Sequence, residues 1–187
     1  MAFSKTAFEA FVDDIGLTHF NANELLVGRY QPDNGPPPPA IWHNIVPTIL
    51  ILDFLRKHTG CGIKLISAYR TEAYNDPAKN PGRAPLSQHQ AFTAIDFRVT
   101  GMKPDKVVPI LKGWENSEWF YSALDFQRKP VKVSKGNIPF GEMPRKFSAG
   151  AFGCWFTFRG FVKPYMKQNF THLDTRGMLS GEDDDGE

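Results

Sequence analysis

The chain has 187 residues, is 41% hydrophobic and carries 22 basic against 20 acidic side chains, a formal net charge of +2. That length supports one buried core and argues for a single domain over residues 1–181, while mixed charges of nearly equal number exclude the basic footprint of a nucleic-acid-binding protein, so no nucleic-acid partner is expected. Two cysteines, Cys61 and Cys154, exclude a disulfide framework and leave one optional bridge open.

The first residues carry Glu9, Asp13 and Asp14 where a signal peptide needs an apolar run, so no leader is expected. Phe3, Phe8, Phe11 and Val12 recur at near-helical spacing, which predicts a short amphipathic helix over 3–15. The run Gln31-Pro32-Asp33-Asn34-Gly35 followed by Pro36 to Pro39 excludes helix and central strand and reads as a stiff surface connector. Ile41, Ile45, Ile49, Leu52 and Leu55 predict a helix from Ile41 to Lys57, ended by Gly60 and Gly62, with Pro47 acceptable in a first turn or at a kink. This is also the longest apolar stretch, and Pro47, Thr48 and Asp53 interrupt it, so no membrane span is expected. Ile63 to Tyr69 and Ala94 to Val99 read as strands, separated by a polar, turn-rich stretch from Asn75 to Pro85. A loop of that length in a compact domain is usually functional or mobile. Lys103 to Trp114 reads as a helix despite Pro109, and the aromatic, Gly- and Pro-rich region from Trp119 to Leu173 as several short strands. The acidic tail 182–187 has nothing to bury and reads as solvated disorder.

Two short signals carry chemistry. Ser87-Gln88-His89 is followed seven positions after the histidine by Asp96, and His172-Leu173-Asp174 lies near the end. Two imidazoles and a carboxylate form the nitrogen and oxygen set of a catalytic zinc with three protein ligands and one open position. A loop folding back onto the strand that contains Asp96 would bring His89 to it, and alternation puts His172 on one strand face with Phe170. On spacing alone the structural alternative stands, because a lone histidine in a strand is more often a hydrogen-bonded core residue than a ligand.

Read together, Ile66-Ser67-Ala68-Tyr69-Arg70-Thr71 with Tyr74-Asn75, then Ser87-x-His89 with Asp96, then Phe170-Thr171-His172-Leu173-Asp174, resemble the zinc D-alanyl-D-alanine carboxypeptidase and L-alanyl-D-glutamate endopeptidase family of peptidoglycan peptidases, whose fold is shared with the hedgehog signalling domain. The three blocks occur in the family's order over residues 41 to 177. The resemblance implies an α+β domain with a small antiparallel sheet carrying the zinc ligands and helices packed on one side. It implies Zn²⁺ held by His89, Asp96 and His172, with Arg70 steadying a substrate carboxylate or carbonyl and Ser87 offering the substrate a hydrogen bond. It also implies hydrolysis of a peptide bond in the peptidoglycan peptide stem, as carboxypeptidase or endopeptidase. Without the alignment, Arg70 would read as a surface ion pair and Ser87 as a turn cap. A monomer is expected, made in a host cytoplasm and released to the cell wall as a phage-type lysis enzyme, or carried on a virion.

Two positions depart from the family pattern. The family glycine three residues after the first ligand is Phe92, which removes easy access to positive φ. Where many relatives have an Asp or Glu three residues before the last histidine, acting as general base on the attacking water, this chain has Asn169. An amide orients a water but takes no proton, and such a base typically contributes about 10²–10⁴-fold. Asp174 is the nearest carboxylate in sequence, either as a replacement base or as the acceptor that fixes a ligand histidine's tautomer. Asp125 and Glu142 are further candidates. The alternative function is a zinc-bearing cell-wall-binding or virion structural module with weak or no catalysis.

Overall fold

The computed structural model describes residues 2–84, 86–115, 118–121, 154–157 and 161–175. Asp125, Glu142 and the 182–187 tail lie outside the described residues. Helix α1 spans Lys5–Ile15; the Ser4 hydroxyl caps it by accepting the Ala7 N–H, and its apolar stripe buries Phe8, Val12 and Ile15. A one-turn helix, α2 (Ala22–Leu25), follows, held by a reciprocal capping box between Asn21 and Glu24. The helix expected from Ile41 onwards is two elements, a 3₁₀ helix over Pro39–Ile45 and α3 over Val46–Thr59, with Pro47 in the first turn. Proline has no N–H and its ring crowds the carbonyl four residues earlier, so it costs least in the first turn of a helix, where Pro47 sits. Gly60 ends α3 in the left-handed region, φ 66°, returning its N–H to the Arg56 carbonyl at 3.0 Å. The proline run is more than a surface connector, because Pro37 is buried and its carbonyl accepts the Trp42 indole N–H at 2.9 Å.

The sheet has four antiparallel strands in the order β1 (Ile63–Ser67), β2 (Ala94–Val99), β6 (Phe170–Asp174) and β5 (Phe161–Tyr165). Between β1 and β2 lies the one-turn α4 (Glu72–Asn75). After β2 come α5 (Pro104–Gly113) and a separate two-stranded pair, β3 (Glu118–Tyr121) with β4 (Cys154–Thr157). An α+β fold with a small antiparallel sheet is therefore observed. One sheet face supplies Leu65, Ile95, Phe97, Val99 and Leu173 to a core shared with Phe8 and Val12 of α1, Ile49, Leu52 and Leu55 of α3, and Val107 and Leu111 of α5. Burying a side chain of this size contributes about 1.5–3 kcal/mol each, which is what holds the helices to that face.

The other face is positioned by a register shift. Leu65 opposes Phe97, yet Ser67 opposes Asp96, so an irregularity between Leu65 and Ser67 re-aims Ser67 from the core face to the face of Asp96. Because Asp96 opposes His172 and His172 opposes Lys163, one transverse row crosses the whole sheet: Ser67, Asp96, His172, Lys163. The first strand ends at Ser67 rather than at Tyr69 because the next backbone groups leave the ladder. The Ala68 carbonyl accepts from His89, the Tyr69 carbonyl from Asn34, and the Arg70 N–H donates to the His89 carbonyl. The turn-rich stretch after Tyr74 is tied down by Asn80 and Arg83, whose side chains both donate to the Tyr74 carbonyl, at 3.0 and 2.8 Å.

Candidate metal centre

His89 reaches the site from a tight turn, in which the Gln90 N–H returns to the Ser87 carbonyl at 2.9 Å and the Thr93 N–H to the Gln88 carbonyl at 3.2 Å. The family glycine position is met with a bulky residue in the glycine conformation: Phe92 has φ 58°. Such a backbone costs about 1–3 kcal/mol. It is offset because the ring is fully buried, 6.4 Å from Phe8 and 6.0 Å from Tyr69 between centroids. Ser87 sits at the head of the turn with its Oγ accepting the His89 N–H at 3.4 Å, so its hydroxyl acts here as a turn cap.

His89 is 1% exposed and donates from Nδ1 to the Ala68 carbonyl at 2.6 Å. That bond fixes the tautomer and leaves Nε2 with a lone pair, buried, 3.3 Å from Asp96 Oδ2 and without a hydrogen-bond partner among the described residues. His172 presents Nδ1 to Asp96 Oδ1 at 2.8 Å, while its Nε2 faces Asp174 Oδ2 at 2.9 Å. The ligand atoms offered by His89, Asp96 and His172 all lie within 4.8 Å of one another. The donor set fits zinc in chemistry and count: two imidazole nitrogens and one carboxylate oxygen, each histidine oriented through its other nitrogen by a carbonyl or a carboxylate. A buried Nε2 lone pair with no hydrogen-bond partner among the described residues fits a metal ligand.

The charges follow from these neighbours. Burial pushes the His89 imidazole down and outweighs the Asp96 carboxylate beside it, which keeps the ring neutral and ready to ligate. Burial pushes His172 down as well, but hydrogen bonds to Asp174 and Asp96 raise it by more, so its net shift is upward. Burial would raise Asp96, yet the hydrogen bond from His172 and the closeness of both imidazoles hold it well below the carboxylate range.

Arg70 is not a free cation. Its Nε donates to Ser67 Oγ at 2.9 Å and its terminal nitrogen pairs with Asp96 Oδ2. It is lowered by burial, a shift opposed by Asp96. The turn Asp33-Asn34 pins the next residue: Asn34 Oδ1 accepts the Thr71 N–H at 2.9 Å, and the Thr71 hydroxyl donates to the Asp33 carbonyl. The geometry therefore ties Arg70 to Asp96, one of the three candidate ligands, an engagement the sequence did not show. Asp174 is fully buried against His172, the placement of an orienting carboxylate. Asn169 is exposed, in the left-handed region at φ 53°, in the turn joining β5 to β6, with its carbonyl accepting from Arg98 Nε at 2.9 Å. Asp or Asn tolerates that conformation better than most residues, so the turn itself accounts for the residue type.

Sequence reasoning missed Ser67, the Ala68 carbonyl, Lys163 and Tyr165. Lys163 directly opposes His172, and Tyr165 lies two positions along the same strand face, its ring stacked on Phe170 at 4.4 Å. Burial and the Asp96 charge raise the Tyr165 phenol, Arg70 acting in the other sense. Counting back by twos from His172 across a four-residue turn would have found both.

A family model described as Peptidase M15 matches residues 18–130. The match takes in Arg70, Ser87, His89 and Asp96 and stops short of His172, which β6 brings to the site by pairing with β2. No curated protein and no solved structure matches the chain.

Proposed function

We propose, for a chain that belongs to the peptidase M15 family of zinc-dependent peptidases, that it hydrolyses a peptide bond in the stem peptide of bacterial peptidoglycan, in the service of a phage-type lysis activity. The observation that carries the metallopeptidase reading is the buried, unpartnered His89 Nε2 facing Asp96 and His172. His89, Asp96 and His172 would hold the zinc, which would supply Lewis-acid polarisation of a carbonyl and make water more acidic. The chain's own residues orient that centre: the Ala68 carbonyl fixes His89, Asp174 fixes His172, and Arg70 holds one carboxylate oxygen of Asp96. The test is zinc analysis of purified protein together with digestion of purified peptidoglycan and identification of the new termini. One zinc per chain, lost in His89→Ala, with new peptide termini supports the reading; full zinc occupancy in both His89→Ala and His172→Ala removes it.

The exposed amide at Asn169, where many relatives place a carboxylate base, favours a second reading, a zinc-bearing wall-binding module. Asn169→Asp separates the two. A zinc-loaded wild type that binds peptidoglycan without cleaving it, and that gains cleavage in this variant, favours the module; robust wild-type cleavage favours the enzyme.

A further inference from the structure

We infer that Lys163 is the residue that reads a carboxylate on the substrate beside the scissile bond, so that the preferred substrates are peptides with an acidic group at that position. The inference rests on the peptidase reading above and adds the substrate class.

The geometry begins with the transverse row. Neighbouring strands lie about 4.8 Å apart and directly opposed side chains share one face, so Lys163 stands next to ligand His172 on the side away from Asp96. The row ends in a basic group on both sides of the ligands: Arg70, bonded to Ser67 at the β1 end, and Lys163 at the β5 end. The two differ in what they can still do. Arg70 is mostly buried, with Nε and a terminal nitrogen engaged by Ser67 and Asp96. Lys163 is exposed and forms no ion pair among the described residues. Its ammonium lies 5.5 Å from the centroid of the Tyr165 ring, which leans it along β5. Phe161, on the same strand face, sets its ring 6.2 Å from the His172 ring.

An exposed ammonium beside His172, flanked by two aromatic rings, fits an extended peptide whose backbone lies over β5 and whose carboxylate pairs with Lys163. A lysine is a point charge with rotatable donors, so it accepts a main-chain terminal carboxylate or an acidic side chain equally well. The shared chemistry is the carboxylate, and peptidoglycan stem peptides carry both kinds.

The test is calorimetric titration of zinc-loaded protein with a stem peptide in three forms: unmodified, amidated at the C-terminus, and amidated at the acidic side chain. Turnover is measured on the same set. Wild type is expected to bind the form that retains the recognised carboxylate about 10- to 100-fold more tightly than the form that lacks it, the range of a charge-assisted hydrogen bond. Whichever amidation abolishes the preference identifies the source. Lys163→Met is expected to erase the difference by raising KM on the acidic form, with kcat changed less and zinc content unchanged. Lys163→Glu should reverse the preference toward a peptide carrying an amine at that position. Equal affinity of wild type for all three forms, with cleavage intact, overturns the role of Lys163 alone. Binding of none of the forms, with no cleavage, overturns the peptidase reading with it.

Discussion

Replacing Asp174 with Asn keeps the shape of a fully buried side chain and removes the charge that faces His172 Nε2 at 2.9 Å. A hydrogen bond to a charged group contributes about 1.5–3 kcal/mol and a neutral one about 0.5–1.5 kcal/mol, so the exchange weakens the hold on the ring by about 1–1.5 kcal/mol. Zinc affinity should therefore fall by about 10-fold, at the low end of the 10- to 100-fold expected when a metal ligand loses its orienting partner. The loss depends on pH in a defined direction. In the metal-free fold, burial lowers His172 while Asp174 and Asp96 raise it by more, leaving it above 6.5, and zinc competes with that proton for Nδ1. The variant loses part of the upward push, so proton competition weakens and the gap between wild type and variant should narrow from about pH 8 to about pH 6. Competition against a chelating fluorophore at the two pH values measures this. Turnover at saturating zinc then separates orientation from proton transfer. An orienting Asp174 predicts that most of the activity returns when the site is filled, whereas a general base predicts a loss of about 10²–10⁴-fold that zinc cannot repair. Unchanged zinc affinity in a folded variant, or turnover that stays down by such a factor with the site full, would refute the reasoning.

For the wild type, the gain in melting temperature on adding zinc should increase with pH through the raised value of His172 and then level off; a gain that shrinks over that window contradicts the assignment of its Nδ1 as ligand. Without metal the two histidines pull apart: the raised His172 contributes stability that is lost as pH rises through its folded value, and the lowered His89 contributes stability that is lost as pH falls. Arg70→Lys leaves a point charge that cannot span Ser67 Oγ and Asp96 Oδ2, so zinc affinity should fall by about 10-fold with little change in melting temperature. A raised KM with unaltered zinc affinity would return Arg70 to the substrate. Phe92→Gly relieves a left-handed backbone worth about 1–3 kcal/mol. It also empties a buried aromatic site worth about 3–5 kcal/mol, so urea denaturation should show a net loss of about 1–3 kcal/mol; a stabilised variant would mean the ring contributes little to the core.

What could be read from residues alone follows the reach of each physical signal. Period-2 and period-3.6 patterns report which face an apolar residue takes, and they placed β2 at its observed ends and the helices α1 and α5 within two residues of theirs. They also put Asp96 and His172 on strands, two of the three candidate metal ligands. Local chemistry fixed the stops, Gly60 above all, because a left-handed cap is decided by one residue. The remainder depended on register, which no single segment carries. One periodic run divides into a 3₁₀ and an α segment with Pro47 in the first turn of the latter, where its missing N–H costs least, whereas Pro109 leaves α5 whole. Ser67 reads as core-facing by alternation from Leu65 until the register shift turns it over, and only then does Arg70 have a reason to be held against Asp96 rather than offered to substrate. Lys163 was invisible for the same reason: nine residues before His172 it is an ordinary surface lysine, and the four-residue turn Met166–Asn169 makes it the neighbour of a ligand. The candidate ligands were legible because their chemistry is rare; the residues that hydrogen-bond to them or stand beside them became legible only once the strands were paired.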